Sequence, residues 1–217
     1  MNLKPIIFLV IIISLILQLR NCHYGAEHQD VDPKYKNAHL TAVSAQNLLK
    51  KKKYAEALKY YEIAQREMEH PNVGASKGED LYVNYGFVMN DIGVIHLSWA
   101  LYGKDEDNRP DMINIAKIDR KELKLATTAL EQAVAFYKRW YKHNPKEYER
   151  YSKALSESYA NLGVAYKYAD RIEDAIEMFR LSLLLKPDNG NAERSLKLLD
   201  ISPSKFILAG EEELKKH

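Results

Sequence analysis

The spacing of seven residues between Tyr159 and Pro187 constrains the fold of this chain more than any other feature. The first helical face consists of Tyr159, Leu162, Gly163 and Tyr166, and the polar turn YADRIED follows it. A second apolar face, with Ala175 and Phe179, precedes Pro187. Residues three and four apart lie on one side of an α-helix. The spacing predicts two antiparallel helices, 156–168 and 172–185, which cross where Gly163 and Ala175 leave room for Phe179.

This spacing resembles the tetratricopeptide repeat, a unit of about 34 residues with the pattern W-x2-L-G-x2-Y…A-x3-F…P. The matching stretch runs from about 156 to 189, with Tyr159 in the tryptophan slot and small Ser182 after Phe179. The resemblance implies an all-α solenoid of antiparallel helix pairs, whose first helices line a concave groove that binds protein segments. It implies neither catalysis nor a cofactor.

A second copy of the pattern lies near the start of the chain, at about 38–71. In the sequence KKKKYAEALKYYEIAQ, Ala57 and Tyr61 fill the A-x3-F slots. The preceding helix, expected at 38–50, places the small side chain of Ala45 at the helix crossing.

An interrupted copy spans 86–145 and contains an insertion at 103–120. Its first helix fills the expected slots with Met89, Ile92, Gly93 and His96. Its second helix is expected at about 121–143, where two registers fit the A-x3-F spacing: Ala129 with Ala133, or Ala133 with Tyr137. The sequence does not decide between them.

The residues after the last repeat complete the expected domain, which covers 38–200. The stretch 190–200, GNAERSLKLLD, predicts an amphipathic capping helix that shields the last apolar face from water. The final 201–217 form a charged tail. Three repeats are about the number at which stacking buries a continuous core.

The first 22 residues predict an export signal or a membrane anchor. The apolar run from Ile6 to Leu19 spans only about 21 Å as a helix, short of the ~30 Å bilayer core. Cys22, the single cysteine, follows that run in LRNC, which resembles the lipobox of bacterial lipoproteins, although Arg20 stands where that motif has a small residue. Lipidation at Cys22, an uncleaved anchor and plain secretion remain open. A flexible tether is expected at 23–37.

The charge balance argues against nucleic acid as a partner. The chain has 32 basic and 30 acidic residues, and removal of 1–22 takes away only Lys4 and Arg20, so that the remaining body is neutral. Nucleic-acid binding depends on a basic surface, so we expect no nucleic-acid partner.

The N-terminal segment and the repeat resemblance together lead us to expect an exported protein held at a membrane by its N-terminus, on the periplasmic or surface side. Its expected partner is a protein or peptide.

The resemblance implies which side chains face the groove. They are the first-helix residues that the repeat does not use for packing: His39, Ala42, Gln46, Leu49, Lys50, Phe87, Asn90, Val94, Leu97, Ser98, Glu157, Ala160, Val164, Lys167 and Tyr168. An exposed Asn90 amide is suited to hydrogen-bond a peptide backbone, and Phe87 and Tyr168 are suited to hold an apolar side chain. Family members that clamp a C-terminal carboxylate use lysine and arginine where this chain has Glu157 and Asn161, which argues against that ligand.

Two other classes of function have weaker support in the sequence. The 103–120 insertion and the convex face suit a structural subunit or adaptor of an envelope or secretion complex. The same insertion carries Asp105, Asp107 and Asp111, but Pro110 and Ala116 stand where a calcium loop needs glycine and glutamate. Because no zinc spacing, phosphate loop or nucleophile elbow is present, we expect no catalysis, no cofactor and no metal.

Overall fold

The computed structural model describes residues 33–69, 79–105, 110, 112–143 and 148–202. In these residues the chain forms seven α-helices, one 3-10 turn at Ile115–Lys117 and no strand, which confirms the all-α class. The helices are α1 Pro33–Lys50, α2 Tyr54–Glu69, α3 Glu79–Tyr102, α4 Arg120–His143, α5 Tyr148–Tyr168, α6 Ile172–Leu185 and α7 Gly190–Leu198. The signal segment 1–22 with Cys22, most of the tether and the tail beyond Ser202 lie outside the described residues.

Three helices begin earlier than the sequence predicts. Helix α1 begins at Pro33, so the expected tether is wrong for 33–37. Proline is favoured at the first helical position because it has no amide hydrogen to satisfy there. Helices α3 and α5 begin at Glu79 and Tyr148, before the expected repeat starts at 86 and 156. The repeat pattern marks only the packing residues, so it does not fix where a helix begins.

The crossing predicted at Gly163 is confirmed. A Cβ atom placed on Gly163 would lie 2.6 Å from Cε1 of Phe179, whose side chain is fully buried. Helices α5 and α6 therefore approach as closely as a glycine permits. Ala175, which the sequence places at the same crossing, is also fully buried.

Both registers expected for α4 are wrong. Helices α3 and α4 run antiparallel, with Gly86 against the Tyr137 ring and Gly93 against Leu130. A Cβ atom on Gly93 would lie 2.6 Å from Cγ of Leu130 and 3.3 Å from the Ala126 carbonyl oxygen. Leu130 thus meets Gly93 as Phe179 meets Gly163, and the A-x3-F spacing falls on Ala126 and Leu130.

The two ends of the insertion between α3 and α4 lie side by side. Gly103, with φ of 83°, ends α3 in a left-handed conformation that glycine adopts without strain. At the other end, the Asp119 amide donates to the Ala100 carbonyl at 3.0 Å, and the Asp119 carboxylate caps α4 by accepting from the amides of Lys121 and Glu122. Because its two ends meet, the insertion leaves α3 and α4 packed as direct neighbours.

Helices α1, α5 and α7 end in the same turn. A non-glycine residue adopts positive φ in each: Lys52 at 60°, Asp170 at 61° and Asp200 at 58°. The amide of the next residue then donates to the carbonyl five positions earlier, in the pairs Lys53 to Leu48, Arg171 to Tyr166 and Ile201 to Leu196. This is the hydrogen bond of a Schellman motif, which satisfies the last helical carbonyls.

Helix α7 packs on the end of the α5–α6 pair. Its Ala192, Ser195 and Leu196 are buried. The Asn189 side chain caps α7 through the amides of Asn191 and Ala192, and its Nδ2 donates to Ser156 Oγ at 2.9 Å. None of the helices in the described part of the chain combines the length and hydropathy needed to span a bilayer.

Candidate functional site

Five polar side chains from α2, α3 and α5 meet at one place, and we call them the polar seam: Tyr61, Asn90, Asp91, Ser158 and Asn161. The Asn90 Oδ1 accepts from Ser158 Oγ at 3.0 Å and from Asn161 Nδ2 at 3.2 Å. The Asn90 Nδ2 donates to Asp91 Oδ1 at 3.2 Å, and the Tyr61 hydroxyl donates to Asp91 Oδ2. The seam thus links α2, α3 and α5.

The Asp91 carboxyl is held in a poorly solvated position. Burial raises its pKa above the usual 3.8, and the neighbouring Glu157 carboxylate raises it further. Hydrogen bonds from Tyr61 and Asn90, together with the Lys50 ammonium, lower the pKa in the opposite direction. Burial also raises the pKa of the Tyr61 hydroxyl, which therefore stays a donor to Asp91.

The expectation of a free, exposed Asn90 amide is wrong. Asn90 is only half-buried, yet both of its polar atoms bond other side chains of the chain. A peptide donor would compete with Ser158 and Asn161 for Oδ1, whereas a peptide carbonyl can still accept from the second Nδ2 hydrogen. Asn90 is therefore a structural link between α3 and α5.

The remaining groove residues fall into three groups by exposure. Leu97 and Ala160 are buried in the core, at 8% and 1% exposure, so their expected place in a groove is wrong. Gln46, Lys50 and Glu157 are exposed, and Phe87 is 36% exposed with its ring edge-on to Tyr137. The others are half-buried: His39, Ala42, Leu49, Val94, Ser98, Val164, Lys167 and Tyr168.

Lys167 and Tyr168 form a paired cationic and aromatic surface at the end of α5. The Lys167 Nζ lies 4.7 Å from the Tyr168 ring centroid, within the range of a cation–π contact. Burial lowers the pKa of Lys167 and raises the pKa of Tyr168. Arg120 holds this end of α5, because its Nη1 donates to the Tyr168 carbonyl at 2.7 Å.

A second cluster joins the insertion to α3 and α4. His96 Nδ1 lies 2.6 Å from Glu122 Oε2, and Lys104 Nζ lies 2.7 Å from Glu122 Oε1. These two contacts hold the pKa of Glu122 below 4.5 even though its side chain is buried. Trp99 packs edge-on to His96 and under Lys104, and its buried Nε1 has no hydrogen-bond partner in the described residues.

Sequence reasoning missed most of both clusters. It placed His96 at a packing position of its helix, where the side chain is half-buried, but it did not predict the contact with Glu122. The available signal was the adjacent pair Asn90–Asp91 inside the otherwise apolar stretch 85–95, since polar groups in such a stretch need partners. Within the described residues, no group of three His, Cys, Asp or Glu side chains is placed to hold a metal ion.

Comparison with known proteins adds no relative from which a function could be transferred. No family model, no curated protein and no solved structure matches the chain.

Proposed function

We propose that the chain is a tetratricopeptide-like scaffold that binds a protein segment along a face shared by α1, α3 and α5. The polar seam is the observation that carries this proposal. By bonding Ser158 and Asn161 of α5, Asn90 holds α3 and α5 side by side, and Asp91 ties α2 to the same place. First helices held in this way present their exposed side chains as one surface.

Two further features support a repeated helix pair. Gly93 meets Leu130 in one pair as Gly163 meets Phe179 in the next. Helices α1 and α5 end in the same turn before the second helix of each pair. Such arrays act as binding platforms, since stacked repeats build an extended concave surface.

The ligand of this face is a protein segment, and the binding residues are those of the groove face that remain accessible: Gln46, Lys50, Phe87, Val94, Ser98, Glu157, Val164, Lys167 and Tyr168. Asn90 supports them by holding α3 against α5. The N-terminal signal places the protein at a membrane on the exported side, through Cys22 or an uncleaved anchor. No catalysis, metal or cofactor is part of this proposal.

Site-specific photo-crosslinking tests the groove face directly. A photoreactive residue at exposed Gln46 or Glu157 should capture the same partner in cells that produce the full chain. The control position is Glu173, which is also exposed but lies on α6. Absence of a product at both groove positions, or the same product at Glu173, would refute binding at this face.

A second candidate function has its own observation. The insertion exposes two large apolar side chains, Met112 at 81% and Ile115 at 71%, beside a cleft of about 800 Å³. Exposed apolar side chains that cluster mark protein interaction sites. An adaptor role through the insertion predicts that Met112→Ser with Ile115→Ser abolishes capture of a partner, whereas crosslinking at Gln46 yields nothing.

A further inference from the structure

A cleft of about 410 Å³ lies between α3 and α4, away from the groove face. We call it the lysine cleft, and its lining is Met89, Ile92, His96, Lys121, Lys124, Leu125, Thr128 and Ala129. The α3 residues lie up to seven positions apart and the α4 residues up to eight, so the cleft runs for about 10 Å along both helices. An elongated cleft of this kind suits a peptide segment laid between two helices.

The two ends of the lysine cleft differ in character. Helices α3 and α4 are antiparallel, and the His96–Glu122 contact places His96 beside the first turn of α4. Lys121 and Lys124 belong to that end, whereas Met89 and Ala129 belong to the other. A fitting ligand therefore carries its apolar group and its charged group at separate ends.

Lys121 and Lys124 place two positive charges at one end of the cleft. Neither Lys121 nor Lys124 pairs with a carboxylate in the described residues, and no carboxylate lines the cleft. The acid between them in sequence, Glu122, is buried and already bonded to His96 and Lys104. The start of α4 is already capped by the Asp119 carboxylate, which accepts from the Lys121 and Glu122 amides, so a ligand carboxylate is expected at the lysine side chains and not at the helix terminus.

We propose that the lysine cleft binds an acidic peptide segment that presents a bulky apolar side chain about one to two helical turns from its carboxylates. The apolar side chain packs against Met89, Ile92 and Leu125, and the carboxylates meet Lys121 and Lys124. This surface is separate from the groove face, so binding here does not depend on the function proposed above.

The test is a display selection of random peptides, long enough to cover two helical turns, against the full chain. We expect enrichment of sequences that combine Glu or Asp with Leu, Ile, Phe or Met. The enriched peptides (the winners), once synthesised, should bind the double variant Lys121→Glu/Lys124→Glu about tenfold or more weakly than the wild type, because like charges replace opposite ones. They should also bind more weakly to Leu125→Ser and as salt concentration rises.

The matched control reverses two exposed lysines outside the cleft, Lys59→Glu and Lys138→Glu. Circular dichroism first verifies that each variant is folded. Selection without enrichment of acidic sequences, or winners that bind Lys121→Glu/Lys124→Glu as tightly as the wild type, would overturn the proposal. Winners that are lost only when Glu157 or Tyr168 is changed would belong to the groove face and would overturn it as well.

Discussion

Replacing Gly163 with alanine tests the helix crossing on which the fold rests. The added Cβ would lie 2.6 Å from Cε1 and 2.7 Å from Cδ1 of Phe179. Carbon atoms pack best at 3.5–4.0 Å, so the two groups must separate by about 1 Å. Phe179 is fully buried, so its ring can move only by shifting the side chains around it.

Two opposing effects set the size of the change. Alanine is favoured over glycine inside a helix by roughly 1 kcal/mol, whereas overpacking a core costs about 1–3 kcal/mol. We therefore expect Gly163→Ala to lower the free energy of unfolding by about 0–2 kcal/mol. Gly190→Ala is the matched control, because a Cβ there meets nothing within 4 Å. It should raise that free energy by up to about 1 kcal/mol. Gly163→Leu overpacks further and should destabilise more.

Urea unfolding followed by circular dichroism measures all of these variants. The difference between Gly163→Ala and Gly190→Ala should be about 1–3 kcal/mol, most of it the overpacking cost, since Gly190 is the first residue of α7 and gains less from helix propensity. Adding Phe179→Leu to Gly163→Ala should cost less than the sum of the single changes, because the smaller side chain relieves the contact. If Gly163→Ala stabilises as much as Gly190→Ala, and the double variant is additive, the close crossing is refuted.

Three further predictions concern the two polar clusters and the N-terminus. Because burial raises the pKa of Asp91, the folded chain binds this proton more tightly than the unfolded chain, so stability should fall as pH rises from 3.8 through the raised pKa. Urea titrations across this range should show that slope in the wild type and a smaller one in Asp91→Asn; equal slopes would contradict the assignment. The pKa of Glu122 is lowered instead, so its contribution is present above 4.5 and is lost as pH falls through the lowered pKa. Glu122→Gln should lower the free energy of unfolding by about 1–3 kcal/mol at neutral pH, and this variant should then lose less stability in acid than the wild type does. A variant as stable as the wild type would argue against the cluster. Finally, Cys22→Ser should abolish lipid attachment as measured by mass and by membrane fractionation, and an unchanged protein would end the lipoprotein hypothesis.

The helices could be predicted from sequence because their packing residues recur at local spacing. Gly163 and Phe179 lie in adjacent helices joined by a short turn, so one pattern covers both sides of the contact. The register of α4 had no such support, since the insertion separates it from α3. Ala126, Ala129 and Ala133 are all small enough for the crossing, and only the contact of Gly93 with Leu130 selects one register.

The polar seam could not be predicted for a different reason. Ser158 and Asn161 lie 68 and 71 positions after Asn90, so no local spacing connects them. Asn90 alone is typical of an exposed helical position. Its role as a link follows only from the packing of α3 on α5, which brings Asn90 together with Ser158 and Asn161.

The geometry of α3 explains why the two proposed binding surfaces can be tested separately. Each residue advances about 100° around a helix, so Phe87, Asn90, Val94 and Ser98 fall within one sector of about 80°. Met89, Ile92 and His96 fall in a second sector, centred about 170° away. The groove face and the lysine cleft therefore occupy opposite sides of the same helix. A ligand on one side does not touch the other, and a variant that removes binding at both must have disturbed α3 itself.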